Sequence, residues 1–189
     1  YEDFAASVIF TTHDQLPVTF DFNPEDAVYD GNPHTGYTGS VRVLTADEKT
    51  DVTAACSPLV IRFTGISGKE VYPLNDQAPT DAGYYFVTFY FEDNTYIGNE
   101  TDIFTIQKAD QAAPAAPALL SSSRDSISVS TVSGQKYMCQ GPEGNTDWQD
   151  SGSFTQLSTD TEYKIYTYLT GDENHNDSLL SEPLTVRTS

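Results

Sequence analysis

Three histidines, two cysteines and a large stock of carboxylates are the side chains that could do chemistry in this chain of 189 residues. His13, His34 and His175 fall in three separate loops, and none shares a motif with Cys56 or Cys139. A thiolate–imidazole pair or a zinc site needs such groups to meet in space. No serine stands in a Gly-x-Ser-x-Gly elbow, and there is no glycine-rich phosphate loop. With 28 Asp and Glu residues a carboxylate pair can always be proposed, so such pairs discriminate nothing. The expectation is a chain that is not an enzyme and carries no cofactor.

The nearest approach to a metal ligand set is Asp172-Glu173-Asn174-His175-Asn176-Asp177. Asp172, Asn174 and Asn176 alternate like the start of a calcium loop. The sixth position, where that loop needs glycine, is Asp177, and the twelfth is Pro183. A hydrated turn between the last two strands accounts for the same residues. A Lys–Asn or Lys–Asp isopeptide crosslink is the other covalent option, but lysine is rare and no diagnostic triad is visible.

Aromatic rings are the remaining candidates. Tyr166 and Tyr168, two apart, fall on one face of a strand and could stack on pyranose rings, as could tyrosines around Tyr90 and Tyr96. Cover by neighbouring strands or by the junction between domains is the competing reading.

Bulk properties narrow the partners. The formal net charge is −19 and the pI about 4.1, so nucleic acid and anionic membranes repel the chain. No apolar run is long enough to span a bilayer. The chain opens at Tyr1 without methionine, which reads as a piece of a longer protein. Tyrosine and phenylalanine dominate the large side chains and methionine occurs once, favouring strands over helices. Cys56 and Cys139 fall in different halves, which reads as two free thiols.

Two polar corners organise the strands. Thr80-Asp81-Ala82-Gly83-Tyr84-Tyr85 opens a long aromatic strand, and Leu157-Ser158-Thr159-Asp160-Thr161-Glu162-Tyr163 opens a second one. In each, a tyrosine at the strand mouth can bury its ring and bond its hydroxyl to the corner backbone. Gly83 suits a tight corner by tolerating positive φ. Asp81 and Asp160 can hold the turns through nearby backbone groups.

Around these corners the chain reads as short strands. Ala6 to Thr12, Val18–Phe22, Val28–Tyr29, Val41–Val43 and Leu59–Phe63 are strand candidates, followed by a turn at Thr64–Gly68. Thr45 to Cys56 reads as a connecting loop. The strand after Gly83 is apolar on both faces, so one face is either covered or an exposed patch. Asn94–Asn99 reads as a hairpin turn and Ile103–Ile106 as the closing strand. Gln111 to Ala118, with two prolines and no large side chain, reads as a semi-stiff linker. Beyond it, Ile127, Val129, Tyr137–Cys139, Phe154, Tyr163–Leu169, Leu184 and Val186 mark a second set. Within it Tyr163, Ile165, Thr167 and Leu169 should point inward.

These residues carry two resemblances. Asp81-x-Gly83-x-Tyr85 looks like the corner of immunoglobulin-like domains. With Val28-Tyr29-Asp30-Gly31 and Phe104-Thr105-Ile106-Gln107-Lys108-Ala109, it makes residues 18–109 resemble bacterial surface modules of the MBG or YDG type. Leu157, Thr161 and Tyr163, with Trp148-Gln149-Asp150-Ser151, Phe154 and Glu182-Pro183-Leu184-Thr185-Val186, resemble a fibronectin type III-like module. The fold expected is all-β: two immunoglobulin-like or fibronectin III-like β-sandwiches in tandem, residues 1–110 and 119–189, joined by a Pro/Ala linker at 111–118. The resemblance implies a non-catalytic spacer of a secreted or wall-attached bacterial surface protein, monomeric and flanked by other domains of a longer chain. The alternative it implies is a module binding carbohydrate or host protein through exposed tyrosines or loop tips.

Overall fold

The computed structural model describes residues 14–189; the candidate strand at Ala6–Thr12 and His13 lie outside the described residues. The chain is all-β, two immunoglobulin-like, fibronectin III-like sandwiches in tandem. Contacts divide it into two compact units. One comprises the chain up to Ala27 with Gly31–Gln107, the other Val28–Asp30 with Lys108–Ser189.

The first unit contains β1 (Leu16–Pro24), β2 (Ala27–Val28, whose Val28 groups with the other unit), β3 (Tyr37–Thr45), β4 (Val60–Ser67), β5 (Glu70–Asn75), β6 (Gly83–Glu92) and β7 (Tyr96–Gln107). Their order is β3-β1-β7-β6-β4-β5, with β2 beside β7. β1 meets β7 in parallel at only Leu16↔Tyr96 and Pro17↔Ile97, then departs to pair with β3. That departure lays β1 and β3 over β6: Phe22 and Tyr37 come within 4.6 Å and 5.3 Å of the Phe89 ring. The two layers therefore share one aromatic core, as sheet-on-sheet packing requires.

Period-two alternation decides which side of β6 is inside. Tyr85, Val87 and Phe89 are fully buried. Tyr84 and Phe86 face out, 66% and 43% exposed. Ile66 and Ile103, opposite them on β4 and β7, are exposed too. The second apolar face of this strand is thus an exposed patch.

The second unit contains β8 (Leu119–Ser122), β9 (Ser126–Val129), β10 (Gln135–Gly141), β11 (Gly144–Asn145), β12 (Ser153–Thr155), β13 (Glu162–Leu169) and β14 (Leu184–Arg187). They form one sheet in the order β11-β10-β13-β14 and another in the order β12-β9-β8. Ile127, Val129 and Phe154 from the smaller sheet pack against Tyr137, Cys139, Tyr163, Ile165 and Val186 from the larger. Before β8, the segment Lys108–Gln111 is tied to the Gly171–Asp177 loop. Ala109 N–H donates to Asn174 O and Asn176 N–H to Ala109 O, each at 2.9 Å. Pro117 is buried, and Ala118 O accepts the Ser130 N–H.

Several local expectations are corrected. Thr64–Ser67 is strand, not turn, and the reversal falls at Gly68, whose φ is +56°. β7 starts at Tyr96, so the hairpin is shorter than Asn94–Asn99. Asp93 closes it by accepting the Thr95 and Tyr96 N–H groups on Oδ1 at 2.7 Å. β5 is an added strand whose Pro73 cannot donate to a ladder, which fits its place at the sheet edge.

Candidate functional site

The corner at Asp81, Gly83 and Tyr85 is built around one bond. The Tyr85 hydroxyl donates to Asp81 O at 2.8 Å. Its ring lies against Tyr72 and Phe104, with centroids 5.6 Å and 5.5 Å away. Burial pushes the Tyr85 phenol above its ordinary range. Gly83 is needed for a reason other than positive φ, since its φ lies outside that region. A Cβ there would sit 2.3 Å from Ile66 O and 2.9 Å from the Tyr85 hydroxyl. Glycine makes room for the phenol and for the neighbouring strand.

At the second corner the roles of donor and acceptor are exchanged. The Tyr163 hydroxyl accepts the Ser158 N–H at 2.8 Å. Leu157 packs half-buried on the core, its N–H on Asp125 O. Thr161 N–H donates to the Thr188 hydroxyl at 3.0 Å, and that hydroxyl donates to Ser158 O at 2.7 Å. Thr188 is buried and ties the last residues to the corner; no sequence signal marked it. Asp160 does not hold its own turn as expected. Its φ is +50°, and its carboxylate accepts Arg187 Nε at 2.9 Å, which keeps it below the usual carboxylate range.

The Asp172 carboxylate is turned onto its own loop. Asp172 Oδ1 accepts the N–H groups of Asn174 and His175, each at 2.8 Å, and lies 2.9 Å from His175 Nδ1. These bonds, the Asn174 N–H first, hold its carboxyl below the usual range. The Asn176 amide donates to Asp110 Oδ1 at 2.9 Å. Asp172 and Asn176 thus point to different partners, and the loop reads as a tie to Lys108–Gln111. Among the described residues no three His, Cys, Asp or Glu gather closely enough to hold an ion.

Cys56 and Cys139 are free and buried. Burial pushes the Cys139 thiol up to about 11, and burial with the charge of Asp93 raises Cys56. Neither is poised as a thiolate nucleophile at neutral pH.

Tyr166 and Tyr168 are both half-buried on β13. The Tyr166 hydroxyl reaches Gln140 Oε1 at 3.4 Å. Tyr168 meets Trp148 at right angles, 4.8 Å between centroids and 89° between planes. Trp148 was the missing partner. It precedes Gln149, which exchanges backbone bonds with Tyr137 and so sets Trp148 beside β10.

No family model matches the chain, and no curated protein matches it. Solved structures that resemble it include a two-domain fibronectin type III segment of chicken tenascin, 12% identical with a TM-score of 0.42. That match covers 89% of this chain and 100% of the other. The FN1–FN3 domains of chicken CNTN1 are 13% identical with a TM-score of 0.37, covering 88% of this chain and 68% of the other. A domain segment of titin is 12% identical with a TM-score of 0.34, covering 92% and 67%. These values are low, and the tandem-sandwich architecture is read from the sheets of the chain itself.

Proposed function

We propose that the chain is a non-catalytic spacer of a larger, exported bacterial surface protein, an MBG/YDG-type module followed by a fibronectin type III-like one. Its partners in this reading are the neighbouring domains of the same chain, and its place is the cell wall or the extracellular face. The observation that carries the reading is how each unit closes. A core tyrosine bonds the backbone of its own corner, Tyr85 to Asp81 and Tyr163 to Ser158, and both cysteines stay free. Stability rests on packed rings and sheet hydrogen bonds, which suits a part that bears load whatever the redox state outside the cell. The charge of −19 argues against a nucleic-acid partner.

Pulling the chain between its ends tests this. Two separate unfolding events of similar force, unchanged by reductant, are expected. One unit extending without resistance, or the protein partitioning with cytosol in the source cell, would remove the spacer reading.

A further inference from the structure

The only tryptophan of the chain is not in a core. Trp148 remains 38% exposed and, with Tyr168, forms two walls of a shallow, open hollow of about 300 Å³. Leu180, 48% exposed, supplies an aliphatic wall, and Asp177 and Ser178 complete the lining. Asp177 is fixed in place because its Oδ1 accepts the Gly171 N–H at 2.6 Å. The Ser178 hydroxyl is fixed too, accepting the Leu169 N–H and donating to Leu179 O. Lys136, the register partner of Tyr168 on β10, holds Asp150 at 2.7 Å.

We propose that this hollow binds one ring of an uncharged pyranose glycan, seated in the right-angled corner between the Trp148 and Tyr168 rings. Five observations select that ligand. The wall is aromatic and aliphatic, which suits the C–H face of a sugar. The polar groups nearby include both a donor, Lys136, and acceptors, Asp150 and Asp177, which suits hydroxyls that both give and take hydrogen bonds. An alkylammonium ligand would use the rings and the acceptors only and has no use for the Lys136 donor. An acidic glycan meets a chain of charge −19. The volume of about 300 Å³ lies at the lower end for small-ligand sites, about 300–1,000 Å³. The site stands independently of the spacer reading, and its failure would leave that reading intact.

Because Trp148 is alone, its fluorescence reads this site directly. The intact chain is titrated with neutral oligosaccharides of glucose, mannose, xylose and N-acetylglucosamine, and separately with tetramethylammonium chloride. A saturable change with at least one sugar is expected, with half-saturation on the order of 1 mM for a single stacked ring. Tyr168→Ala should weaken it about tenfold, the effect of losing one stacking wall. Leu180→Ala, at a half-exposed side chain, should weaken it a few-fold and remains usable if the tyrosine variant does not fold. No response to any sugar from folded protein overturns the proposal. So does saturation by tetramethylammonium alone, or a sugar response that the Leu180 variant leaves unchanged.

Discussion

The Tyr137 hydroxyl accepts the N–H of Val132 at 2.7 Å. This is the five-residue reach that joins Tyr163 to Ser158 on the neighbouring strand. The second unit is therefore pinned by two tyrosines, one on β10 and one on β13. Tyr137 does more than Tyr163, for it also donates to Gln135 Oε1 at 3.0 Å, and Gln135 Oε1 in turn takes the Thr167 hydroxyl at 3.2 Å.

Removing either hydroxyl should therefore destabilise the second unit by unequal amounts. Tyr163→Phe should cost about 1 kcal/mol, the net worth of one hydrogen bond. Tyr137→Phe should cost about 2 kcal/mol, because two bonds go and the Val132 amide and the Gln135 carbonyl each lose a partner. Urea unfolding of both variants measures the difference. Equal losses, or none at Tyr163, would mean that these hydroxyls do not hold their corners.

How much of this was legible follows from what kind of force acts at each residue. Tyr85 and Tyr163 stood out because a polar corner followed by an alternating aromatic strand is a local pattern, and the all-β sandwiches read from them are present. Leu59, Ile61 and Phe63 marked a strand for the same reason. Gly65 was misread, because a glycine looks like a turn in sequence whether its role is conformational or steric. β5 was missed because Pro73 reads as a strand breaker except at an edge. Thr188 and the pairing of Trp148 with Tyr168 depend on residues 27 and 20 positions away. Only the closed fold brings those partners together.

The steric role of Gly65 has its own consequence. A Cβ on Gly65 would lie 2.3 Å from Tyr84 O and 2.8 Å from Tyr85 Cα. Both are backbone atoms of the central strand and cannot swing aside. Gly65→Ala should destabilise the first unit by about 3 kcal/mol, at the upper end for overpacking. The second unit's transition should not move. A calorimetric scan showing both transitions in place would contradict the close approach of β4 to β6.

The outward face of the same sheet makes the opposite prediction. Ile103 is 57% exposed opposite Phe86. Ile103→Thr should change stability by no more than about 0.5 kcal/mol, as at surface sites without special contacts. It should also lower binding of a hydrophobic dye to the folded protein, since it interrupts the patch formed with Ile66, Tyr84 and Phe86. A loss of several degrees in Tm would show that this face is packed in solution.

Alkaline pH should weaken the second unit through Cys139. The thiol rises from its ordinary 9.0 to about 11 on folding. In that interval the native state keeps a proton that the unfolded chain has released. The native state therefore has its full advantage below pH 9 and loses it as pH climbs toward 11. Burial raises the Tyr85 phenol in the same sense, but that residue belongs to the first unit. Urea midpoints taken from pH 8 upward should fall more steeply for the native chain than for Cys139→Ala, on the second unit's transition alone. A thiol reagent at pH 8 should label neither cysteine until the chain is unfolded. Prompt labelling of Cys139 in the folded protein would place that side chain at the surface and remove it from the core it shares with Tyr137 and Ile165.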